Sequence, residues 1–414
     1  MGSRLSAPGP QEKRFAAYTD GLAIAAEHED RHAPLKKYVL GLLLPGERKS
    51  IEPMAARLDP GSVQPLRQSL HHLVAKAPWS DEALLEQVRN QVLPAMQKQG
   101  PVVAWIVDDT GFPKKGKHSV GVARQYCGQV GKQDNCRVAV SLSVATWSSS
   151  LPIGYRLYLP KEWAEDAERR EKTEVPAEVR FQTKPEIALD QIRAAVAANV
   201  ASGVVLADAA YGSNTGFRDG LTELELQYVV GVQSSMTVWE PGKQPLPAKP
   251  RGRIGRPPRL LQRTSDHQPV SVKQLAMRLP STAFKEVTWR AGTERKLRSR
   301  FAAIRVRPAP RDDWKDEPWP EQWLLIEMAE RGCRTNQVLG IDTAVHHQAQ
   351  SFGKDGQTSL DHRAGLRRTE TRVGIGTFRR TQLAWVPPSR HTLYRSLWVP
   401  GRRAEPFFPL CPRR

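Results

Sequence analysis

The sequence predicts a mixed α/β protein with a helical N-terminal region, and three observations carry that prediction. Residues 13 to about 98 repeat apolar positions every three or four residues. From 101, three β-rich runs follow one another between Gly-rich or polar turns. From 184, a helical pattern and short apolar runs alternate. Strands followed by alternating helix and strand indicate a mixed sheet.

The N-terminal region, 1–98, holds RFAAYTDGLAIAAEHEDRHAPLKKYVLGLLL and SVQPLRQSLHHLVAKAPWSDEALLEQVRNQVLPAM. Leu66, Leu70 and Val74 share a helical face, and the turn at Asp59, Pro60 and Gly61 separates helical segments. His71 and His72 read as partly exposed helix histidines rather than phosphate ligands. In the sheet region, 99–332, PVVAWIV, CRVAVSLSVATW and LPIGYRLYLP form an antiparallel set of three. KPEIALDQIRAAVAANVA is a helix, SGVVLADAAYG a short buried strand ending in an acid, NTGFRDGLTEL a helix and QYVVGV a strand. Residues 235–300 break this rhythm with WEPGKQPLPAKPRGRIGRPPRLL, then VKQLAMRL and VTWRAG; they read as an insertion, after which FAAIRVRPA and QWLLIEMAE return to strand character. From 333 to 414 the apolar residues follow no period, Lys354 is the one lysine among many arginines, and neither helix nor strand is expected.

Across 414 residues, 62 Lys and Arg face 43 Asp and Glu, a net charge of +19 that attracts polyanions. Nucleic acid is the usual one, although ribosomal-type or membrane-surface binding shares the charge. No stretch approaches the ~18 apolar residues of a membrane span, and the N-terminus shows no signal-peptide core. Cys127, Cys136, Cys333 and Cys411 have no CxxC spacing, which argues against zinc and a disulfide framework and fits a reducing cytoplasm.

The chemistry is concentrated in VAWIVDDTGFPKKGKHSVGVARQYCG, residues 103–128. Asp108 and Asp109 close one apolar run and are followed by Lys114, Lys115, Lys117 and His118; Asp208 closes another run, Val204 to Ala207. Two carboxylates meeting at adjacent strand ends suit Mg²⁺ or Mn²⁺, and two such ions about 3.5–4 Å apart serve phosphoryl transfer. Without metal, the charges repel and raise one pKa. Spacing alone leaves open a pair of strand-end turn acids.

VDDTGFPKKGKHSVGVARQYCGQVGKQDNCRVAVSLSVAT, LYLPKEWAEDAERREK, RFQTKPEIALDQI and VLADAAYGSNTGFRDGL resemble the DDE transposases of the IS701 insertion-sequence family, over about four-fifths of the chain. The resemblance implies a ribonuclease-H-like catalytic core, a helical N-terminal DNA-binding region and metal-dependent cutting and joining of transposon ends. It implies Asp109 and Asp208 as catalytic metal ligands for Mg²⁺ or Mn²⁺, two ions in an intact family member. Asp108 then serves beside them, and Lys114, Lys115 and Lys117 face DNA phosphates. The partners implied are double-stranded DNA, at the ends and the target, and a second copy as a homodimer. No membrane is implied, and the place is the bacterial cytoplasm, at the nucleoid when DNA is bound.

The third acid of such an enzyme, a Glu in a segment resembling W-x-I-E-R-D-Y-x-x-L-K, is missing. Glu327 sits in a strand-like run and Glu370 in arginine-rich sequence without the motif. LDHRAGLRRTETRVG, residues 360–374, can be encoded so that reading one nucleotide later gives WIIERDYEELKQEL. The same shift can turn CRTNQVL into AEPTKYW and QLAWVPPSRHTL into NWRGFHHHATL. Three matches in one direction imply a frameshift just before Cys333, an out-of-frame tail and a catalytically defective chain. RGRIGRPPR, with Arg251, Arg253, Arg256 and Arg259, reads either as an AT-hook-like minor-groove arm or as a solvated Pro/Arg loop. A non-catalytic DNA-binding remnant or regulator, and a Mg²⁺-dependent nuclease without strand joining, are the competing functions.

Overall fold

The computed structural model describes residues 9–46, 49–249, 258–291, 296–328 and 335–341. It divides into an N-terminal helical unit and a sheet unit that begins at Val102.

The helical unit comprises α1 (Pro10–Ile24), α2 (His32–Leu43), α3 (Ile51–Leu58), α4 (Val63–Ala75) and α5 (Asp81–Gln97). Pro10 starts α1 at a position that needs no amide donor, and the Ser80 hydroxyl caps α5 by accepting from Ala83 N. One apolar cluster joins Leu22, Ala26, Leu35, Val39 and Leu73; another joins Met54, Ala55, Leu66 and Leu70. The expected α4 face is corrected at one position: Leu66, Leu70 and Leu73 are buried, whereas Val74 is exposed. Steps of four and then three keep the stripe over one side, while a second step of four carries Val74 past its edge.

The sheet unit opens with β1 (Ala104–Pro113), β2 (Ala123–Cys127), β3 (Lys132–Ala145) and β4 (Ser150–Leu157). The short helices α6 (Lys161–Ala164) and α7 (Ala167–Lys172) precede α8 (Lys184–Ala197) and β5 (Val204–Ala207). Then come α9 (Ala209–Gly212), α10 (Thr215–Glu223) and β6 (Tyr228–Val232). β1, β3 and β4 pair antiparallel, as expected, and β5 and β6 add in parallel on the other side of β1. The resulting order β4-β3-β1-β5-β6, with helices in the two crossovers, is a ribonuclease-H-like mixed sheet. β-branched residues fill it: Val138, Val140, Val144, Val205 and Val230 are buried. Gly212 is required where α9 meets β6, because a Cβ there would lie 2.0 Å from Gly231 O.

β7 (Thr237–Trp239), β8 (Val270–Ser271), α11 (Val272–Arg278), β9 (Lys285–Ala291), β10 (Lys296–Pro308), β11 (Gln322–Met328) and β12 (Thr335–Ile341) follow. They extend the same sheet in the order β6-β12-β11-β10-β7-β8, with β9 on β10. β12 corrects the expectation that no strand lies beyond Cys333. It pairs antiparallel with both β6 and β11, and without it two strand edges would lack ladder partners. The rest of the 333–414 tail lies outside the described residues.

Candidate active site

Ladder register sets the site. Ala104, Trp105 and Ile106 of β1 stand opposite Val204, Val205 and Leu206 of β5, which stops at Ala207 while β1 runs on to Pro113 along β3. Asp108 and Asp109 therefore lie within β1, not at its end as the apolar run suggested, beside the end of β5, where Asp208 caps α9. Asp208 acts as N-cap, its Oδ1 accepting from Ala210 N at 2.8 Å. Burial, then repulsion from Asp109, pushes its pKa up, opposed by the α9 amides and Lys184.

Both oxygens of Asp109 are occupied by side chains that sequence reading left without a role. Lys184 Nζ lies 2.6 Å from Oδ2, and the Tyr211 hydroxyl donates to Oδ1. α8 packs on β3, where Gln191 Nε2 donates to Val140 O at 3.0 Å, and this brings its first residue, Lys184, to Asp109. Tyr211 comes from α9, the helix that Asp208 caps, so one acid positions the partner of the other. Burial and the neighbouring carboxylates push the Tyr211 hydroxyl far up, which keeps it a donor. The sequence carried only indirect signals for either residue, neither of which points to Asp109. A lysine in a first helical turn works against the helix dipole, and the tyrosine stands three residues after Asp208.

Asp108 stands in register with Ser141 and Tyr155, on the face opposite to Asp109. Its Oδ1 accepts from Asp109 N at 2.7 Å. Burial pushes its carboxyl up to about 7, with Asp109 and Asp208 adding repulsion.

The lysine loop leaves the end of β1. Asn135 holds it by accepting from Lys114 N at 2.8 Å and donating Nδ2 to Lys114 O at 2.6 Å. Arg169, stacked 3.5 Å from the centre of the Trp163 ring, donates to Lys117 O at 2.7 Å. Lys115, Lys117 and His118 are exposed, and Lys114 is half-buried. Arg259 is exposed; Arg251, Arg253 and Arg256, with the AT-hook-like reading they carry, lie outside the described residues.

Glu327 is buried within β11, opposite Phe301 and Gln337. Four strand steps separate β11 from β1, about 19 Å at ~4.8 Å each. That removes it from the site; Glu370 lies outside the described residues. Among the described residues, no three His, Cys, Asp or Glu side chains gather as a metal-binding group. Cys127 and Cys136 are buried free thiols.

A ribonuclease-H-like sheet with one acid within a central strand and another at the end of its parallel neighbour is consistent with the core of a DDE nuclease. The family model described as DDE superfamily endonuclease matches residues 20–296, and the chain belongs to that family. It is 34% identical over 170 residues to a probable transposase for insertion sequence element IS701 from Microchaete diplosiphon. That match spans 41% of this chain and 41% of the relative. The similarity to an IS701 transposase is thus carried by about two fifths of either chain.

Proposed function

We propose that this chain is built to cut and join insertion-sequence DNA ends through Asp109 and Asp208, and that as written it is catalytically defective. The observation that carries the reading is the placement of Asp109 within β1 beside Asp208 at the end of the neighbouring parallel strand β5. The donor chemistry fits a hard divalent cation: the cluster offers carboxylate oxygens, and Asp108 and Asp208 are both driven towards the neutral form, first by burial and then by neighbouring carboxylates, a repulsion that a bound cation would offset. Asp109 and Asp208 would hold Mg²⁺ or Mn²⁺, which when bound lowers the pKa of an attacking water or 3′-hydroxyl and stabilises charge on the phosphate.

The protein's own groups prepare that chemistry. Tyr211 and Lys184 fix the Asp109 carboxylate, and the α9 amide fixes Asp208. Lys114, Lys115 and Lys117, on a loop pinned by Asn135 and Arg169, reach towards phosphates of the bound strand. Two DNA ends would bring two copies of the chain together. A non-catalytic DNA-binding remnant is the second reading, favoured by the missing W-x-I-E-R-D-Y segment.

The test is cleavage of a terminal-repeat duplex in Mg²⁺ or Mn²⁺. The chain as written should leave the duplex intact, and removing the one-nucleotide shift before codon 333 should produce nicking that Asp109→Asn and Asp208→Asn each abolish. Cleavage by the chain as written, lost in Asp109→Asn, would show that another acid completes the site.

A further inference from the structure

We propose that Lys184 is a built-in counter-ion for Asp109, one that gives up its place when a metal ion binds. The inference rests on the reading of Asp109 as a metal ligand. Each Asp109 oxygen already has a partner, and although each oxygen keeps a second lone pair, a cation binding Oδ2 meets the like charge of the ammonium 2.6 Å away and drives one of the partners out. Tyr211 is the fixed one: it is 1% exposed and packs against Phe217 with ring centres 5.8 Å apart. Lys184 is the movable one, an ammonium on a flexible four-carbon stem whose side chain is 25% exposed.

The helix does not explain this lysine. Thr183 and Glu186 already form a complete capping box for α8, and a cation at the first helical position opposes the helix dipole. What explains it is the acid cluster, where Asp108, Asp109 and Asp208 repel one another and Lys184 supplies opposing charge. A second seat is close by: the Tyr158 ring centre lies 5.5 Å from Nζ, within cation–π range. The ammonium can turn towards that ring when a divalent ion takes Oδ2. The apparent metal affinity is then lowered by the fraction of molecules in which the pair is open.

Calorimetric titration of the full chain with Mn²⁺, without DNA, tests this. Lys184→Gln removes the charge, Lys184→Met does so while keeping an apolar stem against Tyr158, and Lys184→Arg keeps the charge. If the pair is closed in about nine molecules of ten, the Gln and Met variants should bind Mn²⁺ about tenfold tighter than the wild type. The Arg variant should stay near the wild type. Gln and Met variants that bind no tighter than wild type, or not at all, overturn the proposal. The double variant Lys184→Gln with Asp109→Asn separates the two readings. If it keeps the tightened binding, the metal is not on Asp109 and the site assignment falls with the counter-ion. If Asp109→Asn weakens binding but removal of the Lys184 charge changes nothing, the counter-ion alone is wrong.

Discussion

Asp108 and Asp109 are sequence neighbours with different physical fates, because successive strand residues face opposite sides of a sheet. Asp109 gains a lysine and a tyrosine, whereas Asp108 gains burial and two repelling acids. Raising a carboxyl from 3.8 to about 7 means the folded state holds a proton that the unfolded state has released. Stability is therefore fully present below about pH 4 and falls as pH rises towards 7. Asp108→Asn, neutral at every pH and still able to accept from Asp109 N, should flatten that fall. Its thermal midpoint at pH 8 should exceed the wild type's by about 3 °C or more, at roughly 2–4 °C per kcal/mol. Parallel midpoint-versus-pH curves would refute it. The acids themselves were legible from the apolar runs before them, but only Asp208 follows a strand end; β1 continues through Asp109 to Pro113 because β3 pairs with it that far. Lys184 and Tyr211 were not, because their role arises only when α8 crosses β3 and α9 turns back at Asp208.

At the scale of elements, the helix that delivers Lys184 depends on its cap. Thr183 Oγ1 accepts from Glu186 N, and the Glu186 carboxylate accepts from Thr183 N at 2.7 Å. Thr183→Ala should cost about 1 kcal/mol in urea unfolding and weaken the hold on Asp109, whereas an exposed Thr→Ala away from a cap should cost little. An unchanged unfolding midpoint would show that Pro185 and the packing of α8 suffice to start it. The core helices could be read from periodicity because each buries one face, and β3 from a continuous apolar run because residues 138–145 are buried on both faces. β12 could not, since its seven residues, TNQVLGI, carry only a short apolar run. Their strand form comes from the gap between β6 and β11. A chain ended at residue 334 would leave both edges open, and aggregation measured by light scattering should rise sharply over the full chain. Equal solubility would mean that β6 and β11 close on each other without it.

For the whole molecule the charge is the dominant fact, and its distribution makes a prediction. Residues from Cys333 onward carry fourteen Lys and Arg against five acids, nearly half of the net +19. If the chain binds duplex DNA through phosphates, each neutralised phosphate contributes about −0.9 to the slope of log affinity against log salt. A protein making six or more such contacts loses roughly a thousandfold in affinity between about 50 and 200 mM salt. The full chain should show that loss on duplexes of any sequence. A chain ended after Ile341, which retains β12 and removes most of the arginine-rich tail, should bind more weakly at low salt and with a shallower slope. Equal slopes would place the phosphate contacts on the lysine loop and the helical unit instead. A flat response in the full chain would remove the electrostatic basis for DNA binding altogether, leaving the acid cluster without a substrate that its surroundings attract.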